Sequence, residues 1–352
     1  MDNQPMPQLL WEGSGEPFLA RKGCPDPSQR IQDKPGFMLD NETIAREIEA
    51  AASELAQEAG NILASRFGRE MSVEYKDKGE RDPVTEADKA SQKYLVEEIT
   101  KRFPGHSILG EEDPEDSEKS DAGCADFLWV LDPLDGTTNF LNGLPIYAAS
   151  IGVLYRGTPL AGALFIPWPG PGGGFVLHCR RGGGCFAGEE PVTVYQSDEV
   201  AKNRLVGLPG SFAYTTRFGG QLRENSGEPR TTGSIAYELA MTACGVLQYA
   251  IIGAPRMWDM LAGALAVQEA GGTVMTRLPG EKRWHPMESL VPTWEEKPPT
   301  MKELRSWVAP LVAGNQQVAP LVARNLRRRF HLGATLRHLS RRLRPARKPS
   351  SE

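Results

Sequence analysis

Two aspartates three residues apart, Asp132 and Asp135, lie in the run Leu131-Asp132-Pro133-Leu134-Asp135-Gly136-Thr137-Thr138-Asn139-Phe140. Carboxylates held this close repel unless a hard cation sits between them, and Mg2+, which prefers oxygen ligands, is such a cation. The apolar stretch just before, Phe127 to Leu131, is short and bounded by turn signals, which predicts a buried strand. Pro133 cannot donate to a ladder, so the strand is predicted to stop at Asp132. Gly136 permits a sharp turn, and Thr137 and Thr138 stand where a helical turn would begin. Free N–H groups at a helix start attract an anion. Metal and phosphate in one place is the chemistry suggested; a plain Asp-Pro, Asp-Gly surface turn is the alternative.

Three further blocks extend the pattern. Asp82-Pro83-Val84-Thr85-Glu86-Ala87-Asp88 precedes a helical pattern, and Ile108-Leu109-Gly110-Glu111-Glu112-Asp113 ends an apolar pair in acids. Trp258-Asp259-Met260-Leu261-Ala262-Gly263 opens an alanine-rich helix. In this order and spacing the blocks resemble the signatures of the inositol monophosphatase family: D-P-[IL]-D-G-T, a preceding G-E-E, and a later W-D-x-x-A-G. The resemblance covers about Asn41 to Arg329. It implies an α+β or α/β fold, a layered αβαβα sandwich of the inositol monophosphatase/fructose bisphosphatase type.

The same resemblance implies a site. Glu111, Asp132, Asp135 and Asp259, with the carbonyl of Leu134, would be the Mg2+ ligands. Asp88 would accept from Thr137, and this pair, or Thr137 with Glu111, would orient a water. Substrate contacts would fall to Leu134, Asp135, Gly136, Thr137, Gly233, Ser234, Ile235 and Asp259. Glu112 matches the neighbour of the ligand Glu111, and Lys78 matches a loop lysine near a third metal position. For Lys78 a solvated connector is the equal alternative, and for Ser234 an ordinary helix cap.

Composition sets the boundaries. A chain of 352 residues is one large domain or two joined halves, long enough for a sizeable core. The net charge of −5 argues against a general nucleic-acid binder. Five cysteines (Cys24, Cys124, Cys179, Cys185, Cys244) show no zinc-ligand spacing, which points to free thiols in a reducing compartment. Residues 1–34 lack the charged and apolar regions of a secretory signal, and no apolar run reaches the roughly 20 residues that span a bilayer. A cytoplasmic location is the expectation.

The chain divides into a head without periodicity at residues 1–40, an N-terminal half at 41–190, a C-terminal half at 191–329 and a basic tail at 330–352. Trp11 and Phe18 could anchor the head. Asp40 and Asn41 are plausible caps for a helix carrying Ile44, Ile48, Leu55, Ile62 and Phe67. A loop from Lys76 through Asp88 should lead into a second helix. Strands are expected at Ala148 to Leu154 and Leu160 to Ile166, turning at Arg156-Gly157. The glycine clusters at 170–174 and 182–184 lack a phosphate-loop pattern and read as hairpin turns. Ser234 should cap a helix reaching roughly Leu247, and Trp258 and Asp259 should open one ending at Gly271-Gly272. Residues 284–300 resemble an inserted loop, 307–315 the last strand and 316–329 the last helix. In the tail, Leu332, Leu336, Leu339 and Leu343 recur among arginines, a pattern for an anionic surface or RNA, with a solvated tail the simpler reading.

The expected reaction is hydrolysis of a small-molecule phosphate monoester, of the inositol-1-monophosphatase kind, by a chain that is a homodimer like many of the family. No cysteine or histidine occupies a nucleophile position. Ile252, however, stands where the family's sugar-recognising Glu is expected, and an apolar side chain cannot accept from ring hydroxyls. Arg256 could instead meet a second anionic group. A nucleoside bisphosphate, fructose bisphosphate or histidinol phosphate is the alternative substrate, and an RNA-associated regulatory protein the alternative role.

Overall fold

The computed structural model describes residues 39–75, 83–112, 124–169, 173–278 and 280–329. Lys78, Trp11, Phe18, residues 1–38 of the head and the basic tail lie outside them.

The first helix, α1 (Leu39–Ala64), is followed by the short strands β1 (Val73–Tyr75) and β2 (Pro83–Thr85) and by α2 (Glu86–Arg102). Next come β3 (Ser107–Gly110), β4 (Phe127–Asp135), the single turn α3 (Thr137–Leu141), β5 (Ala148–Tyr155) and β6 (Thr158–Pro167). The hairpin strands β7 (Gly174–Arg180), β8 (Gly184–Ala187) and β9 (Glu190–Pro191) complete a seven-stranded sheet in sequence order. Only the β3–β4 pair is parallel.

The later chain supplies β10 (Leu205–Gly207), α4 (Phe212–Thr215), β11 (Thr216–Phe218), β12 (Glu228–Arg230), α5 (Ile235–Ala243) and β13 (Leu247–Ile252). Then follow α6 (Met257–Glu269), β14 (Gly272–Thr276), β15 (His285–Pro286), α7 (Met301–Arg305), β16 (Leu311–Asn315), α8 (Val318–Asn325) and β17 (Leu326–Arg328). The second sheet runs β12-β10-β13-β16-β14-β15. Helices α1 and α2 cover one face of the first sheet, α5 and α6 lie between the sheets, and α8 covers the second. That is a layered α/β arrangement in the order αβαβα.

The middle layer sits close because the first sheet offers no side chain where α6 crosses it. A Cβ on Gly152 would stand 2.5 Å from Leu261, and one on Gly162 2.9 Å from Ala262. Gly263 in turn lets α6 approach Leu239 of α5. Small residues here thus set the depth at which α6 delivers its first turn.

Several expectations are corrected. β4 does not stop at Asp132 but continues through Pro133 to Asp135. Its pairing with β5 slips between Asp132↔Ser150 and Asp135↔Ala148, a bulge with one extra residue, so proline's missing donor falls where the ladder is interrupted. Helix α1 begins at Leu39, ahead of Asp40 and Asn41, and ends at Ala64. Phe67 lies beyond it, with its ring 5.4 Å from those of Phe140 and Tyr147. The loop expected to run to Asp88 ends earlier, because Thr85 caps α2 and Asp88 is already in its first turn.

Helix α5 ends at Ala243 rather than Leu247, since Gly245 takes a positive φ of 70° and turns the chain into β13. The last helix stops at Asn325, where Leu326 becomes extended and pairs with Phe218 in a two-stranded ribbon. Residues 284–300 are not a loose insertion: Met287, Leu290 and Trp294 are buried in the core shared with α6. Cys124, Cys179, Cys185 and Cys244 are free thiols. Arg156 and Gly157 form the turn between β5 and β6, both with positive φ.

Candidate active site

The bulge at the end of β4 is where the acidic residues collect. Asp132 is fully buried, and its Oδ1 accepts the N–H of Leu134 at 3.0 Å, which folds the chain back around Pro133. The Pro133 carbonyl accepts from Ser91 of α2 at 3.2 Å, tying the bulge to the outer helical layer. Gly136 then adopts φ 91°, ψ 33°, a left-handed conformation that side chains resist. Its surroundings also exclude a Cβ, which would lie 2.9 Å from the Ile146 carbonyl. Thr137 follows at the start of α3.

Asp135 faces inward to the later half of the chain. Its Oδ2 accepts from Ser234 Oγ at 2.7 Å and from the Ala236 N–H at 2.5 Å. Ser234 also caps α5 by accepting from the Tyr237 N–H, so the helix-cap reading of this serine holds and the same hydroxyl ties Asp135 to α5. Asn139 binds the carbonyls of Ile146 (2.7 Å) and Thr232 (2.8 Å), and Gly233 packs against its side chain. The Asn139 link was missed from sequence; its only local signal was the polar residue inside Thr137-Thr138-Asn139-Phe140. Ile235 is the first residue of α5.

Asp88 is buried at the start of α2. Its Oδ2 accepts from the backbone and the hydroxyl of Thr85, at 2.8 and 2.5 Å, in a reciprocal capping box. Its Oδ1 lies 3.2 Å from Thr137 Oγ1, which is also 3.0 Å from the Leu134 carbonyl. A hydroxyl carries one proton, so these two acceptors compete for it. Glu111 follows β3, its N–H bonded to the Leu131 carbonyl at 3.0 Å, while the Glu112 N–H reaches Gln92 at 2.9 Å. Asp259 stands in the first turn of α6 and its Oδ2 accepts the Arg256 N–H at 2.8 Å. Ser150 of β5 donates to the Trp258 carbonyl at 3.3 Å, joining that turn to the first sheet.

These carboxylates form one electrostatic cluster. Burial first, and then Glu111, Asp135 and Asp259, push Asp132 well above the usual carboxylate range. Asp259 is likewise driven well up by burial and then by Asp135, against the opposing pull of Arg256. Burial lifts Asp135 to about 7, although Ser234 and Ala236 hydrogen bonds oppose the rise. Asp88 is raised by burial, with Glu111 adding to it. Among the described residues no three acid, histidine or cysteine side chains converge on one metal-binding point. Asp132, Asp135 and Asp259 each turn an oxygen to a separate hydrogen-bond donor instead. The donor set itself, all oxygen, acidic, buried at Asp132 and half-buried at Glu111, Asp135 and Asp259, and mutually repelling, fits a hard divalent cation.

Ile252 is buried at the end of β13 and pairs with Leu311, so it belongs to the core rather than to a polar wall. Arg256 is exposed beside Asp259. A polar cavity of about 270 Å³ lined by Gln196, Ser197, Asp198, Asn315, Gln316 and Gln317 lies by the β16–α8 turn, and none of the acidic cluster lines it.

Fold and acidic cluster together define a layered α/β protein with carboxylates gathered at its strand and helix ends. A family model described as "Inositol monophosphatase family" matches residues 44–309, and the chain belongs to that family. It is 35% identical over 237 residues to the chloroplastic phosphatase IMPL1 of Arabidopsis thaliana. That match covers 65% of this chain and 62% of the relative, less than two thirds of its length. It is 33% identical over 221 residues to the fructose-1,6-bisphosphatase/inositol-1-monophosphatase of Thermotoga maritima, covering 62% of this chain and 81% of that one. The structure of extragenic suppressor protein suhB from Bartonella henselae shares the fold, with a TM-score of 0.58 at 24% identity over 77% of this chain and 95% of that chain. No described helix is long and apolar enough to cross a membrane.

Proposed function

We propose that the chain is a Mg2+-dependent hydrolase of phosphate monoesters, acting on a sugar or cyclitol phosphate. The observation that carries this reading is the cluster of buried Asp132 with half-buried Asp135 and Asp259, in which Glu111 raises all three pKa values and Asp135 raises those of Asp132 and Asp259. Burying several carboxylates side by side is costly unless they serve a cation. Glu111, Asp132, Asp135 and Asp259 would hold it, with the Leu134 carbonyl adjoining. Mg2+ held there supplies charge neutralisation for the phosphoryl oxygens and acidifies the attacking water.

The chain's own residues have separate tasks. Thr137 Oγ1 gives its proton to Asp88 Oδ1 or to the Leu134 carbonyl, leaving its lone pairs to accept from a water. The water is thereby oriented with an oxygen lone pair free for attack on phosphorus. Asp88 keeps this arrangement rigid because Thr85 already fixes its other oxygen. The main chain from Gly136 onward, held by α3, would border the phosphate.

Thr137→Val preserves shape and removes the hydroxyl. Steady-state kinetics should show kcat lowered by about 10²–10⁴ with KM little changed. An unchanged kcat would remove Thr137 from the mechanism.

Ile252 and Arg256 bear on substrate choice. With no acceptor at Ile252, recognition of ring hydroxyls is weakened, and an exposed cation beside Asp259 favours a substrate bearing extra negative charge. Phosphate release would be followed with and without Mg2+ on inositol monophosphate, fructose bisphosphate, a nucleoside bisphosphate and histidinol phosphate. Mg2+-dependent turnover of one or more supports the reading. No release from any, at a protein concentration where the fold is intact, counts against it and favours a binding role.

A further inference from the structure

We infer that Arg305 is a positioning residue that holds the two separate chain segments bearing Glu111 and Asp259 at a fixed spacing; the inference rests on the metal reading above. Arg305 closes α7, the helix that follows the segment 284–300. Its guanidinium donates from Nη2 to the Gly110 carbonyl at 2.8 Å and from Nη1 to the Glu111 carbonyl at 3.2 Å. These are the last carbonyl of β3 and the first beyond it, so the fork grips the point where the strand hands over to the acidic residue.

The other side of Arg305 engages the α6 turn. The guanidinium carbon lies 5.4 Å from the ring centroid of Trp258, the residue before Asp259. The Arg305 carbonyl accepts from Arg256 Nη1 at 3.4 Å, and the Arg256 N–H in turn holds Asp259 Oδ2. One residue therefore touches both arms of the acidic cluster, from the first sheet and from the middle helical layer. Glu111 and Asp259 are 148 positions apart in the chain, and neither arm carries a covalent constraint toward the other.

The anchor of Arg305 is firm. Leu304 beside it is buried, Thr300 caps α7 by a reciprocal box with Glu303, and Cys124 Sγ meets Met301 Sδ at 3.5 Å. The Cys124 N–H binds the Pro299 carbonyl at 3.2 Å. Trp294 and Leu290 fix the preceding segment in the core. A planar fork matched to two carbonyls, with its charge over an indole, is a geometry that lysine cannot reproduce in full.

The test is calorimetric titration of Mg2+ into wild type, Arg305→Ala, Arg305→Lys and Arg305→Met, each confirmed folded by circular dichroism. Steady-state kinetics would be run alongside, with Mg2+ varied at fixed substrate and substrate varied at saturating Mg2+. The expected result is a Mg2+ dissociation constant raised about tenfold or more in Arg305→Ala and Arg305→Met, with partial recovery in Arg305→Lys. KM for substrate at saturating Mg2+ should stay within about twofold of wild type. A Mg2+ dissociation constant unchanged in folded Arg305→Ala overturns the inference. So does an equal loss in Arg305→Lys and Arg305→Ala, which would assign Arg305 to the fold alone. A wild-type chain that binds no Mg2+ overturns the metal reading itself, and that result is seen before any variant is compared. If Arg305→Ala does not fold, Arg305→Lys and Arg305→Met, which keep the side-chain stem, decide the matter.

Discussion

Asp132→Asn is expected to abolish phosphate release while leaving a folded chain. Asp132 is the most deeply placed acid of the cluster and feels Glu111, Asp135 and Asp259 together. In the proposed site, removing a cation ligand that would stabilise developing phosphoryl charge forfeits several kcal/mol in the transition state, about a thousandfold or more in rate. The fold should survive because the asparagine oxygen can still accept the Leu134 N–H, now 3.0 Å from Asp132 Oδ1. Without Mg2+ the variant should match or exceed wild type in thermal stability, since one of several repelling charges is gone. With Mg2+ at about a hundred times its dissociation constant, wild type should gain about 2.7 kcal/mol and the variant much less. Differential scanning calorimetry with and without Mg2+, beside a phosphate-release assay, reads all of this. Turnover retained by Asp132→Asn would sink the proposed site.

The second large effect concerns Glu238, a buried acid of α5 outside the ligand set. Its Oε1 accepts from the backbone and hydroxyl of Thr232, at 3.1 and 2.8 Å, securing the approach to Gly233 and Ser234. Burial raises its pKa from 4.5 to about 7, and the two Thr232 bonds offset only part of the rise. Because the folded-state pKa is the higher one, the folded chain keeps a proton that the unfolded chain releases. Stability from this group is therefore complete below pH 4.5 and is lost as pH rises through about 7. The full span amounts to about 3 kcal/mol as an upper bound. Glu238→Gln keeps the Oε1 acceptor and removes the titration. Denaturant unfolding from pH 4 to 8 should show a flatter profile for the variant, with its advantage over wild type greatest above pH 7. Parallel profiles would show that Glu238 does not titrate in this window.

The acidic blocks were legible in the sequence because each is a local device. Asp132 and Asp135 are placed by a strand, a proline and a glycine that are their immediate neighbours, and Gly136 does take the left-handed conformation its turn requires. Asp259 opens its helix for the same reason, as the acid nearest the free N–H groups of α6. Ile252, apolar by its side chain, is core at the end of β13. Local rules failed where another element overruled them. Pro133 did not end β4, because β5 accommodates a bulge there. The run 316–329 did not stay helical, because β11 offered Leu326 to Arg328 a partner.

What the amino-acid order alone determined, then, is which residue types stand at strand ends and helix starts, since covalent neighbours govern those backbone choices. Only the tertiary structure decided which of them meet: Asp88 with Thr137 at the end of β4, Ser234 and Ala236 with Asp135 between the layers, and Arg305 with the Gly110–Glu111 strand end. Such contacts depend on sheet register and on the depth to which α6 sinks against Gly152 and Gly162, quantities that arise from packing over the whole core and leave no mark at the residues they bring together.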